Sequence, residues 1–202
     1  MANSQKIKVV LLGNSTVGKT TIFTQLQKRE VSTTMMETCG ADFADCVVRH
    51  NDRDIKLQVW DTAGQERYKS IPVSLYRSAM GVGLVYDITQ PLTFQDIGRW
   101  ISMLSQESSP DMRAVLIGNK ADLEPLRQVS SEEGAALAAQ HDMQFFETSA
   151  LQGTGVLDAF SELAKAIIER RPSVFPDLNQ PRDSMLLEPN RHGETWWRRC
   201  RC

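Results

Sequence analysis

Gly13-Asn14-Ser15-Thr16-Val17-Gly18-Lys19-Thr20 places two glycines, a lysine and a hydroxyl at the spacing G-x-x-x-x-G-K-[ST]. Such a loop turns successive backbone N–H groups toward one point. A helix that follows adds the positive end of its dipole, and both attract phosphate oxygens. Lys19 brings a full positive charge for the β- and γ-phosphates, and the Thr20 hydroxyl is placed to ligate Mg²⁺. Ser15, Thr16, Val17, Gly18 and Thr21 complete the stretch expected to hold a nucleotide.

Trp60-Asp61-Thr62-Ala63-Gly64-Gln65-Glu66-Arg67 follows some forty residues later, directly after an apolar run. A carboxylate at the end of such a strand reaches a metal shell, so Asp61 is a second Mg²⁺ ligand. Gly64 lets its N–H approach a γ-phosphate closely. Gln65 carries an amide able to hold a water in line with that phosphate, which makes it the candidate catalytic residue.

The third group is Asn119-Lys120-Ala121-Asp122. A fixed carboxylate at Asp122 accepts two hydrogen bonds from guanine N1–H and N2–H₂, a donor pair that adenine lacks. A site built around that pairing rejects the analogue by roughly 10⁴ or more, because the buried carboxylate is then left unpaired. Thr148-Ser149-Ala150 follows the last apolar run, where a backbone N–H meets guanine O6. These residues argue against an ATPase or a nucleoside kinase.

The elements that must carry these loops are legible in the periodicity. Ile7 to Leu12 is a short β-branched run that stops at Gly13, and a helix opens near Lys19 with Ile22, Phe23 and Leu26. Ala41 to His50 and Ile55 to Trp60 alternate around Asn51-Asp52-Arg53-Asp54, the pattern of a hairpin. Val82 to Tyr86 and Ala114 to Ile117 are apolar throughout, as parallel strands buried on both faces require. Phe94, Ile97, Ile101 and Leu104 recur at helical spacing. Ser130 to Glu133 fits a capping box for a helix near 131–140. Gln144 to Glu147 makes a last strand, and Val156 to Ile168 carries the stripe of a closing helix. Alternating strands and helices with one hairpin specify an α/β fold. Its mostly parallel six-stranded sheet has one antiparallel strand and helices on both faces. Ligands of such sheets sit at the carboxyl ends of the strands.

The chain has 202 residues, 41% apolar and 24% charged, the composition of a soluble domain with a core. Its 23 Lys and Arg against 25 Asp and Glu give a net charge of −2, which disfavours a nucleic-acid partner held by phosphate electrostatics. No apolar run approaches the ~18 residues of a membrane span, and the N-terminal stretch has no cleavage site, so the chain is expected to begin in the cytosol. Composition changes at Pro172. From there on, Pro172, Pro176, Pro181 and Pro189 stand among polar residues, so 1–171 is the expected domain and 172–202 a flexible tail. Four cysteines are present, and two of them, Cys200 and Cys202, end the chain as C-x-C. That pair is too few for a structural zinc site.

Taken together, the motifs resemble those of the Rab family of Ras-superfamily small GTPases across nearly all of 6–171. The most Rab-like stretches are Thr38-Cys39-Gly40-Ala41-Asp42-Phe43, Lys56 to Trp60, Arg67 to Ile71 and Leu84 to Thr89. The resemblance implies a P-loop small G domain in which Thr38 is a further Mg²⁺ ligand on the first switch loop and 65–77 form the second. It implies that Ser149 and Ala150 belong to the guanine loop, and that Cys200 and Cys202 each receive a geranylgeranyl group. The sequence departs from the family at Val31, where a Phe usually meets the guanine edge, and at Leu151, where a Lys usually packs along the base. Met35, Met36, Cys39 and Ala41 are also unusual in the first switch.

The expected function is a Mg²⁺-dependent GTP/GDP switch, slow in hydrolysis without an activating protein, that acts in vesicle trafficking. Its expected partners are an exchange factor, an activating protein, effectors at the two switches, the prenylation machinery and a dissociation inhibitor. Its expected place is the cytosol and the cytoplasmic face of a membrane, with no nucleic acid. The competing expectation is a GTP-gated effector-binding module with little hydrolysis.

Overall fold

The computed structural model describes residues 6–27, 42–50, 53–62 and 76–175. The chain order is β1 (Ile7–Leu12), α1 (Lys19–Gln27), β2 (Asp42–His50), β3 (Arg53–Asp61), β4 (Gly81–Asp87), α2 (Pro91–Gln95), α3 (Ile97–Glu107), β5 (Arg113–Asn119), α4 (Ser131–Gln140), β6 (Gln144–Thr148) and α5 (Val156–Arg170). The strands form one six-stranded sheet in the order β2-β3-β1-β4-β5-β6. Every neighbouring pair is parallel except β2 with β3. The expected fold class is therefore the observed one.

The sheet's two faces follow from the period-2 alternation of side chains. Ile7, Val9 and Leu11 of β1 pack into the cluster that holds Ile22, Phe23 and Leu26 of α1 and the stripe of α5 from Val156 to Ile168. Val10 and Leu12 point to the other face, against Ile97 and Leu104 of α3 and Ala138 of α4. All seven residues of β4 are buried, as a strand covered on both sides demands. The capping box is present in full: the Ser130 hydroxyl accepts from the Glu133 N–H at 3.1 Å, and the Glu133 carboxylate accepts from the Ser130 N–H at 2.8 Å.

Three boundaries differ from expectation. The β2–β3 ladder continues to the pair His50–Arg53, so Arg53 and Asp54, expected in the turn, belong to β3. The helical pattern from Phe94 to Leu104 is split at Asp96, with Pro91 opening the short first piece. Asp96 keeps right-handed dihedrals (φ −68°, ψ −15°), so apolar spacing carries straight across the break and hides it. The packed body also passes residue 171. Phe175 is only 4% exposed and lies in the α1/α5 cluster, with its N–H on Arg171 O at 3.2 Å. A lone aromatic among prolines and polar residues carries no period to betray this.

Tyr86 of β4 is fully buried, and its hydroxyl has no hydrogen-bond partner among the described residues. Burial, reinforced by the Glu147 carboxylate, holds the phenol well above its ordinary pKa of 10.0. The unfolded chain therefore releases this proton first, and stability is lost as pH rises above about 10. Tyr86→Phe removes a desolvated hydroxyl that makes no bond. It is expected to leave stability at pH 7 unchanged or raise it by about 1 kcal/mol, and to flatten the alkaline fall, both read from urea melts across pH 7–11.

Candidate functional site

The chain steps from β1 to β3 on one side and to β4 on the other, so strand order reverses at β1. Ligand crevices open at the carboxyl ends of strands at such a point. The loop 13–18 leaves β1 there. Gly13 (φ 147°) and Gly18 (φ 100°) both occupy backbone conformations suited to glycine. A Cβ on Gly13 would stand 2.1 Å from Val85 O, and one on Gly18 would stand 2.3 Å from Asn119 Nδ2. No larger residue fits at either place. Thr16 is also left-handed (φ 67°), a conformation that costs a β-branched residue about 1–2 kcal/mol. The strain sits at the tip of the loop, and the sequence pattern, which allows any residue there, gave no sign of it.

Lys19, the first residue of α1, is buried, and its ammonium donates to Gly13 O at 2.9 Å and Asn14 O at 2.8 Å. These bonds fold the loop around its own lysine. Thr20 and Thr21 follow on the first turn of α1 and are exposed. Asp61, the last residue of β3, is buried beside Leu11 in the β1–β3 register, two residues before Gly13. Thr62 locks this end, its hydroxyl donating to Leu11 O at 2.8 Å. A carboxylate and a hydroxyl are hard oxygen donors, a set that suits Mg²⁺ and not zinc.

Asn119 ends β5 and is 1% exposed. Its Nδ2 donates to Val17 O at 2.8 Å, and its Oδ1 accepts from Thr148 Oγ1 and from Ala150 N, each at 3.0 Å. One amide thus ties the loop after β1 to the loop after β6. Both ends of this side chain are therefore engaged in holding two loops together. Asp122 lies in a 3₁₀ turn, Ala121–Leu126, too short to leave a periodic signal in the sequence. Its Oδ1 accepts from the buried Ser149 hydroxyl at 2.5 Å, and Ser149 Oγ in turn accepts from Gln152 N at 3.1 Å. Lys120, left-handed at φ 71°, places its ammonium 2.6 Å from the buried Asp87 carboxylate. Thr89 closes the other Asp87 oxygen through its N–H and hydroxyl. Leu151 is 74% exposed, its carbonyl held by Gln25 Nε2 at 3.2 Å, so its side chain is available to cover a ring.

The 3₁₀ turn is anchored from behind by Arg127. Its guanidinium bonds the Glu124 carboxylate at 2.6 Å, the Glu147 carboxylate at 2.6 Å and Val129 O at 3.0 Å. Hydrogen bonds to Glu124 and Glu147 hold Arg127 above its ordinary pKa, and the Arg127 bond holds the Glu124 carboxyl below its own. Arg127→Ala leaves the half-buried Glu147 without its partner. An expected loss of about 2 kcal/mol follows, measurable by urea denaturation, with faster proteolysis of the 121–126 turn.

The described residues therefore bring Ser15 to Thr20, Asp61, Asn119, Lys120, Asp122, Ser149, Ala150 and Leu151 to one end of the sheet. Thr38, Gly64 and Gln65, with Val31, Met35, Met36 and Cys39, lie outside the described residues, as do Cys200 and Cys202. Of the expected second switch, only Tyr76 and Arg77 are described.

Comparison with known proteins agrees with this geometry. The Ras family model matches residues 8–169. The chain is 41% identical to Ras-related protein Rab-10 of Diplobatis ommata over 170 residues, 84% of this chain and 85% of that protein. It is 44% identical to Ras-related protein Rab-13 of Canis lupus familiaris over 161 residues, 80% and 79% of the two chains. It is 38% identical to human Ras-related protein Rab-8B over 195 residues, 96% and 94% of the two chains.

Proposed function

Because this chain belongs to the Ras family, and within it to the Rab-type small GTPases that hydrolyse GTP to GDP, we propose that the loops after β1, β3, β5 and β6 form a single guanine-nucleotide site driving a membrane-anchored switch in vesicle trafficking. The observation that carries the site is the Asn119 amide, which joins the phosphate loop to the 148–150 loop while Asp122 stands beside it on Ser149. In this reading the loop amides and Lys19 bind the β- and γ-phosphates, Asp122 accepts from the guanine N–H groups, and the Ala150 region meets guanine O6. Thr20, Asp61 and Thr38 hold Mg²⁺. Bound there, the ion would supply positive charge to the phosphate oxygens. Gln65 orients the attacking water, and preorganised donors stabilise the transferred phosphoryl group.

The motifs assign no arginine finger in cis, so an activating protein is taken to complete the charge stabilisation. The γ-phosphate orders the two switch loops and hydrolysis releases them, which is how effectors sense the bound nucleotide. Exchange of GDP for GTP needs a separate factor. The C-x-C end takes two geranylgeranyl groups from the prenylation machinery. One lipid gives only marginal membrane binding and two give stable anchoring, so a dissociation inhibitor that buries both lipids is needed for extraction. The chain past Phe175 is the tether, and the membrane face is cytoplasmic.

Two measurements test this reading. With a cognate activating protein, Gln65→Leu is expected to lower GTP turnover by ~100-fold or more while GTP affinity stays nearly unchanged. Equal turnover of the two proteins would sink the role of Gln65. Cell fractionation of the Cys200→Ser/Cys202→Ser variant is expected to return a cytosolic protein that still binds GTP. Membrane-bound wild type with free thiols at both positions would sink the anchor.

A further inference from the structure

Asn14, the second residue of the phosphate loop, bonds in two directions. Its main-chain carbonyl accepts from Lys19 Nζ at 2.8 Å. Its side chain meets residues 82 and 86 positions away: Nδ2 donates to Asp96 Oδ2 at 2.6 Å, and Oδ1 accepts from the Trp100 indole N–H at 3.3 Å. The two bonds have opposite polarity, so the amide has one orientation that satisfies both. Asp96 is the residue at which the α2–α3 helical stretch breaks, and its carbonyl accepts from Arg99 N and Trp100 N in the first turn of α3. Asp96 also pairs with Arg99 at 3.4 Å, but that guanidinium is largely exposed, which leaves the Asn14 amide as the close donor.

We propose that Asn14, Asp96 and Trp100 form a latch between the phosphate loop and α3, in which Asp96 and Trp100 are positioning residues that hold the Asn14 carbonyl against Lys19 and thereby slow nucleotide release. The proposal rests on the nucleotide-site reading above. It follows from which residue carries the charge. The latch requires one acidic and one amide partner, because a charge-assisted bond of this length needs a donor on one side. An aspartate at position 14 would set two carboxylates at hydrogen-bond distance and drive them apart. Exchanging the pair, Asn14→Asp with Asp96→Asn, restores an amide donor facing a carboxylate with the direction reversed, and the Trp100 N–H still finds an oxygen. A residue that merely fills space would not show this reciprocity.

The test is release of a fluorescent GDP analogue (mant-GDP) from the full chain, with circular dichroism melts on the same samples. Asn14→Asp is expected to release the analogue ~10-fold faster, and the exchanged double variant to return to within about twofold of wild type. Trp100→Phe, which removes one of the two side-chain bonds, is expected to accelerate release by about threefold. A folded Asn14→Asp protein with wild-type release, or a double variant no slower than Asn14→Asp, overturns the latch. If Asn14→Asp does not fold, wild-type release from Trp100→Phe overturns it instead. Wild type that fails to retain the analogue at all overturns the nucleotide-site reading, and the latch with it.

Discussion

Asp122→Asn is expected to turn a guanine site into a xanthine site. The Ser149 hydroxyl donates to Asp122 Oδ1, and an asparagine keeps that acceptor, so the turn 121–126 holds its place. The second carboxylate oxygen becomes an NH₂ donor. Guanine then meets its N1–H and N2–H₂ with a donor, whereas xanthine offers a C2 carbonyl that matches it. Affinity for GDP is expected to fall by roughly 10³–10⁴, the cost of leaving buried polar groups unpaired in a site built to pair them. Xanthosine diphosphate is expected to gain by a comparable factor. Competition binding with guanosine, xanthosine and adenosine nucleotides reads both changes. Wild type that binds ATP as well as GTP would end the guanine assignment.

Asn119→Ala carries the second large effect, and this one acts on fold and site together. The substitution removes three hydrogen bonds and leaves Val17 O, Thr148 Oγ1 and Ala150 N without the partner that joins them. Each buried group left unsatisfied costs about 1–3 kcal/mol, partly recovered as the loops relax toward water. A net loss of about 3 kcal/mol in urea melts without added nucleotide is expected. Nucleotide affinity is expected to fall by 100-fold or more, because the phosphate loop and the 148–150 loop no longer share a hinge pin. Melts in excess GDP then separate wild type and variant further, since bound ligand stabilises only a protein that can hold it. Asn119→Ala with wild-type affinity would show that the two loops keep their positions without it.

Much of this protein is local and was therefore legible in the residues. The run from Ile7 to Leu12 alternates toward two cores and stops at a glycine whose φ of 147° no other residue suits. The capping box at Ser130 and Glu133 closes within four residues, so its chemistry is written where it acts. The apolar runs of β4 and β5 announce strands covered on both faces, because only a parallel sheet between helix layers buries every side chain of a strand. The phosphate-loop pattern is of the same kind: glycines, lysine and hydroxyl serve one ligand from one short segment.

What tertiary structure alone decided are the bonds that cross between strand ends. Asn119 reaches Val17 across 102 residues and Ala150 across 31. Those distances close only because β1, β4, β5 and β6 lie side by side and parallel in that order. The same ordering brings Lys120 onto Asp87, since Asp87 and Asn119 are register partners on neighbouring strands. It also brings the α2–α3 break beside Asn14, where a carboxylate and an indole find one amide. Periodicity records how each segment is buried and is silent on what faces it. Residue types and spacing therefore specify the chemistry expected of the loops; the sheet order decides which side chains meet across the strand ends and hold those loops in place.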